Sequence, residues 1–126
     1  MKLNPEEAKR IAKQLNYRHN GLITVVAQEA STNQVLMVAY ANAEAVEMAL
    51  TSGEMHYWST ERKKLWKKGE TSGHYQRIVE AYVDCDLDAL LVKVNQVDGA
   101  CHLGYKSCFF RQLQDGEFKT VEAAAR

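Results

Sequence analysis

The chain has 126 residues, enough for one domain that buries somewhat under ~68% of its unfolded surface. Its 16 Lys and Arg balance 16 Asp and Glu, and 46% of its residues are hydrophobic, so neither long disorder nor a generally basic nucleic-acid binder fits. The longest apolar run, residues 35–41, falls far short of the ~18 residues of a membrane span, and residues 1–15 carry charges throughout with no apolar h-region. A secretory signal is therefore excluded, and a cytoplasmic, reducing location is expected.

Asn4-Pro5-Glu6-Glu7 begins a helix: a capping side chain, a proline where its missing N–H costs nothing, and acids against the positive end of the dipole. Ala8, Ile11, Ala12 and Leu15 fall at i, i+3, i+4, i+7, so this helix is expected to reach about residue 15 and to pack on a sheet. Residues 22–28 and 35–40, rich in β-branched side chains and separated by Ser31, Thr32 and Asn33, read as a hairpin. Asn42 caps a short amphipathic helix over 43–50, with Gly53 as its stop. Residues 54–59 read as a strand. The polar stretch 60–74, with five Lys or Arg, is too long for an ordinary connection and is of the kind that carries function when ordered. Residues 76–85 and 89–97 alternate as two strands, 98–104 form a glycine-bearing loop, and 105–113 read as a last strand. There is no internal repeat or interdomain linker. The expected architecture is one α+β domain over 1–126, with its core at about 22–111: a mainly antiparallel sheet with two short helices.

Asp84-Cys85-Asp86-Leu87-Asp88 is the most informative string. In an extended chain the two-residue period sends Asp84, Asp86 and Asp88 to one face and Cys85 to the other, so that one segment addresses two metals. Three gathered carboxylates repel each other unless a cation lies among them, and all-oxygen ligation suits magnesium. A solvated acidic turn is the plain alternative; an EF-hand is a poor reading, since Ala89 and Asn95 stand where its glycine and bidentate glutamate belong. The three cysteines, Cys85, Cys101 and Cys108, cannot all pair as disulfides, and in a reducing compartment thiols read as metal ligands or reactive groups. Six residues separate Cys101 from Cys108, unlike the two to four of a structural finger. Three thiolates leave a fourth zinc position open for water, as in a catalytic site. Taken singly, each cysteine reads as a small buried hydrophobe. His102 follows Cys101 in the glycine-bearing loop and can bring an imidazole to the same centre.

Four blocks in order carry a family resemblance. They are Val35-Leu-Met-Val-Ala-Tyr40; Tyr57-Trp58-Ser59 with Leu65-Trp66-Lys67-Lys68-Gly69-Glu70-Thr71-Ser72-Gly73-His74; Val83-Asp-Cys-Asp-Leu-Asp-Ala-Leu-Leu91; and Gly99-Ala-Cys-His-Leu-Gly-Tyr-Lys-Ser-Cys-Phe-Phe-Arg111. Together they resemble the phosphoribosyl-AMP cyclohydrolases of histidine biosynthesis, which open the adenine ring of N1-(5-phosphoribosyl)-AMP. The resemblance implies a compact, mainly β fold, a partly open barrel in an intertwined homodimer. It implies magnesium on Asp84, Asp86 and Asp88, and zinc on Cys85, Cys101 and Cys108, shared across the dimer. It also implies attack of zinc-activated water on C6, followed by cleavage of N1–C6 to a formamidine imidazole carboxamide ribotide. Zinc deaminases attack the same adenine carbon but with a different motif, absent here. His102 is the first candidate general acid/base and His74 the second, since imidazole suits proton transfer near neutral pH.

The candidate substrate-binding set is Trp58, Ser59, Arg62, Lys64, Trp66, Lys68, Gly69, Glu70, Thr71, Ser72, Gly73, Arg77 and Lys106: cations and loop N–H donors for two phosphates, with aromatic neighbours. Trp58-Ser59-Thr60-Glu61-Arg62 departs from the family's Trp-Ser-Arg-Ser-Arg, with Thr60 where an arginine is expected; Lys63, Lys64 and Lys67 are the compensating cations, as point charges without the bidentate fork. No nucleic-acid or membrane partner is expected. The rival from another class is a non-catalytic dimer with a closed structural zinc, His102 as fourth ligand, and an RNA-binding basic loop, which a steep salt dependence of binding would mark. A zinc hydrolase for another purine or amidine differs only in substrate. Since 126 residues leave no room for the pyrophosphohydrolase domain fused in some relatives, the monofunctional form is expected.

Overall fold

Helix α1 (Pro5–Gln14) starts on a capping box: Asn4 Oδ1 accepts the Glu7 N–H at 2.8 Å and Glu7 Oε1 accepts the Asn4 N–H at 3.2 Å. The computed structural model describes residues 1–122. The chain continues through β1 (Ile23–Glu29), β2 (Val35–Ala41), α2 (Ala43–Ser52), β3 (His56–Ser59), β4 (Lys64–Lys67), β5 (Gln76–Val83), β6 (Ala89–Gln96), β7 (Arg111–Gln114) and β8 (Glu117–Thr120). Asn42 caps α2, its Oδ1 accepting the Ala45 N–H at 2.8 Å, and Gly53 ends it in the left-handed region at φ +79°, where a Cβ is disfavoured.

Six strands make one sheet in the order β4-β3-β2-β1-β6-β5. The sequence-based expectation of a mainly antiparallel sheet holds at four of its five pairings, but the pair β1 with β6 is parallel. The sheet curls until its last strand meets the chain entering β3: the Met55 N–H donates to Gln76 O at 2.9 Å and the Ile78 N–H to Gly53 O at 2.8 Å. The result is a half-barrel of α+β class.

Side chains alternate along β1: Ile23, Val25, Ala27 and Glu29 are buried on the inner face. There they join Leu36, Tyr57, Ile78, Val92 and Val94, and the helices add Ala8, Ala12, Ala45, Val46, Ala49 and Leu50. Small alanines let α1 lie close against α2, which in turn packs on β2 and β3. No helix among the described residues is long and apolar enough to cross a membrane.

Three local expectations are corrected. The polar stretch 60–74 contains strand β4, because Leu65 and Trp66 find register partners in Trp58 and Tyr57. Residues 105–113 are not one strand. Cys108 N–H donates to Leu36 O at 2.7 Å, Ser107 Oγ donates to Val35 O at 2.7 Å, and Tyr105 stacks on Phe110 at 3.7 Å; regular pairing begins only at Arg111, in a β7–β8 hairpin. Finally, residues 84–88 are not extended but turn back at the tip of the β5–β6 hairpin, with Leu87 at φ +64°.

Candidate active site

The chemistry-bearing residues gather at two places. The first is the loop after β6. Its backbone is closed on itself: the Ala100 N–H donates to Lys106 O at 2.9 Å, the Cys101 N–H to Tyr105 O at 3.1 Å and the Gly104 N–H to Cys101 O at 2.9 Å. These bonds leave Cys101 buried and set its sulfur beside that of Cys108, which is anchored to β2 through Leu36 O. Burial, and then Cys101, push the Cys108 thiol up to about 11. Two adjacent thiols with no disulfide form a donor set that fits a soft metal such as zinc. Lys106 ties the loop down by an ion pair of 2.7 Å with Glu29, which lies on the buried face of β1.

Gly99 admits no side chain, since a Cβ there would lie 2.5 Å from Tyr105 O. Gly99→Ala is expected to push the thiol loop off its position and to cut turnover about 100-fold, as an ångström-scale displacement does. Steady-state rates beside a melting curve check it; an unchanged rate in a folded variant refutes it.

A cavity of about 510 Å³ opens at this loop, lined among others by Lys68, Ser72, His74, Asp98, Cys101 and His102. A second, of about 460 Å³, is lined by Tyr40, Trp58, Ser59, Thr60, Arg62 and Trp66 among others, and again by His102. His102 is thus the side chain common to both. His74 Nδ1 lies 3.1 Å from Gly99 O; because a carbonyl only accepts, Nδ1 carries the proton. Its other ring nitrogen, Nε2, lies 3.6 Å from Asp98 Oδ2.

The second place is the acidic turn. Asp84, Asp86 and Asp88 have carboxylate oxygens within 4.8 Å of one another, and they form the one cluster of three or more such groups found among the described residues. The turn achieves this, not strand alternation: Asp84 Oδ1 accepts the N–H groups of Asp88 at 3.0 Å and Ala89 at 3.1 Å, folding the chain around it. Asp86 holds its proton more tightly than usual, through its hydrogen bond to Asp88, and Asp88 less tightly for the same reason. Arg18 Nη1 approaches Asp88 at 3.1 Å and Asp86 at 3.8 Å. An oxygen-only donor set of this size fits magnesium.

The family model for phosphoribosyl-AMP cyclohydrolase matches residues 37–110, which include both places. The chain belongs to the phosphoribosyl-AMP cyclohydrolase family. It is 53% identical over 116 residues to the protein of that name from Methanothermobacter thermautotrophicus, covering 89% of this chain and 84% of the relative. With the Archaeoglobus fulgidus protein of the same name it shares 54% over 106 residues, 84% of this chain and 98% of the relative. The Azoarcus protein of that name is 52% identical over 111 residues, covering 86% and 85%. The chain is accordingly an enzyme of a hydrolase family.

In this cyclohydrolase-family chain, Trp58, Ser59, Arg62 and Trp66 share the smaller cavity, and Lys68 and Ser72 share the larger. Gly69 and Gly73 shape the turn that delivers them: the Gly73 N–H donates to Gly69 O at 2.7 Å, and a Cβ on Gly69 would lie 2.6 Å from the His74 backbone. Glu70 and Thr71 are exposed on that turn, and Lys64 is exposed on the outermost strand. Arg77 is exposed at the start of β5 and lines neither cavity, and Lys106 is committed to Glu29. Lys67 pairs with Glu54 at 3.3 Å, whereas Lys63 and Lys64, the other two cations expected to compensate for Thr60, are exposed.

Cys85 does not join the other thiols within one chain. In the sheet register Leu36, which holds Cys108, is level with residues 92–93, about 13 Å along β6 from the acidic turn. Sequence reasoning missed Arg18, Glu29, Asp98 and the buried relay in which Tyr57 Oη donates to Gln76 Oε1 at 2.6 Å and Gln76 Nε2 to Gln96 Oε1 at 2.8 Å. The signal for the relay was present: Gln76 shares the inward phase of Ile78 and is wholly buried.

Proposed function

We propose that the chain hydrolyses N1-(5-phosphoribosyl)-AMP in histidine biosynthesis, opening the adenine ring between N1 and C6. In chemical balance, water gives its oxygen to C6, the N1–C6 bond breaks, and N1 takes up a proton, leaving the formamidine arm on an imidazole carboxamide ribotide. The observation that carries this reading, in a chain of this family, is the position of His102 between a thiol-bearing cavity and one walled by Trp58 and Trp66. The indole faces suit a purine, and His102 is placed to take the proton of the attacking water and pass it to N1. His74 serves through Nε2, held in orientation by its bond to Gly99 O. Arg62 and the turn around Gly69 and Gly73 receive phosphate.

Zinc, when held by Cys101, Cys108 and Cys85 of a second copy, supplies a Lewis acid that makes water nucleophilic near neutral pH. Asp84, Asp86 and Asp88 are the residues to hold magnesium, whose remaining positions suit water and substrate phosphate. The homodimer is supported by the sheet's outer face, where Val38, Val26, Leu91 and Tyr82 fall in one cross-strand row beside Tyr40 and Trp58. Val38, Tyr40 and Tyr82 are each more than 40% exposed, an apolar surface of the kind that partners cover. The RNA-binding alternative loses support because Lys67 and Lys68 point back to protein partners.

The test is ultraviolet absorbance of the purified protein with N1-(5-phosphoribosyl)-AMP and magnesium, with zinc measured on the same sample. Ring opening that vanishes on zinc removal and returns on its restoration is the expected result. A folded, zinc-loaded protein that leaves the ribotide intact overturns the reading.

A further inference from the structure

Lys68 belongs by sequence to the basic stretch, but the fold leaves it half-buried in the wall of the larger cavity, beside the thiol loop. Its backbone N–H donates to Met55 O at 3.0 Å, fixing the chain just beyond β4. From there Nζ donates to Ala100 O at 2.5 Å and lies 5.8 Å from the Trp66 ring centroid. Ala100 is itself buried and immediately precedes Cys101. Burial lowers the Lys68 pKa, opposed by the pull of Cys108 and Cys101. A side chain meant to receive a substrate phosphate serves better with its charge in the open, as Arg62 and Lys64 have theirs. Here one of the three N–H donors of the ammonium goes to the carbonyl of the residue before Cys101, on the loop that carries the thiol.

We propose that Lys68 is a positioning residue of the thiol centre: it holds the Ala100 carbonyl and offsets the negative charge that Cys101 and Cys108 carry as zinc ligands, and it does not bind substrate phosphate. Three thiolates on a divalent zinc leave one net negative charge, and Lys68 supplies one positive charge beside it. Partners of this kind fix the orientation of ligands and tune the metal. The inference rests on the reading of the thiols as zinc ligands and is independent of the substrate.

Zinc affinity of the full chain, measured by competition with a chromophoric chelator, decides it. Lys68→Met is expected to bind zinc about 10- to 100-fold more weakly than wild type, as loss of such a partner does at other sites. Lys68→Arg, which keeps the charge, is expected to restore most of the loss. The cobalt(II)-loaded Lys68→Met protein is expected to show shifted thiolate-to-metal absorption, and KM for the ribotide is expected to stay near wild type. Unchanged zinc affinity and cobalt spectrum overturn the proposal, and a raised KM beside them assigns Lys68 to substrate phosphate instead. If Lys68→Met fails to fold, Lys68→Gln, which keeps a donor for Ala100 O but no charge, carries the same comparison. The titration needs no substrate, so a chain that binds zinc yet opens no ring still decides the role of Lys68.

Discussion

On the proposed reading of the thiols as zinc ligands, proteins carrying Cys85→Ala and Cys101→Ala are each expected to lose ring opening by at least about a thousandfold, because loss of a metal ligand removes several kcal/mol of transition-state stabilisation. Produced together in one cell, the two inactive chains are expected to regain about a quarter of wild-type activity. The arithmetic follows from two-fold symmetry: random pairing makes about half of the dimers mixed, and each mixed dimer joins the intact Cys101 and Cys108 of one chain to the intact Cys85 of the other at one of its two sites. The sheet register demands this outcome if zinc is to have three thiols, since about 13 Å of β6 separates Cys85 from the level of Cys108 in one chain. Co-purified mixed dimers with no activity above the single variants would exclude a centre shared between subunits.

The second large effect is on stability. Glu29 occupies the inward phase of β1, and its side chain is only 7% exposed. Lys106 answers it at 2.7 Å from the loop that also carries Cys101 and Cys108. Lys106→Met is expected to destabilise the fold by about 3–5 kcal/mol, the cost of leaving a buried carboxylate alone. The melting temperature is expected to fall by about 10–20 °C. Adding Glu29→Leu to Lys106→Met should return most of the loss, because two apolar groups need no counter-charge. A melting temperature within a degree or two of wild type for Lys106→Met would show that Glu29 finds water instead.

The fold was readable in the sequence where local signals and burial agree. Asn4, Pro5 and Glu7 begin α1, Asn42 and Gly53 bound α2, and the β-branched runs 22–28 and 35–40 mark the β1–β2 hairpin. The parallel β1–β6 pair was not readable, because nothing in either strand names a neighbour so far along the chain. The acidic string shows a different limit. Its composition suggested that the three carboxylates gather, but the period-two argument assumed an extended backbone, whereas Leu87 in the left-handed region and the bonds to Asp84 Oδ1 make a turn. The same residues meet by another route. For Lys68 and Lys106 sequence could give only charge, since their partners, Ala100 O and Glu29, lie 32 and 77 residues away in the chain and meet them only after folding.

The parallel pairing of β1 with β6 also bears on how the molecule is made. Thr24 waits for Ala89 and Glu29 for Val94, so a growing chain can close the β1–β2 hairpin early but leaves the far edge of β1 open until β6 has been synthesised. Such long-range pairings are slow, and the open edge is the vulnerable stage for association with other chains. All three cysteines and the three aspartates of the acidic turn come after residue 83. In order of synthesis, therefore, β1 to β4 emerge before any of these six side chains, the acidic turn just ahead of β6, and Cys101 and Cys108 only after it.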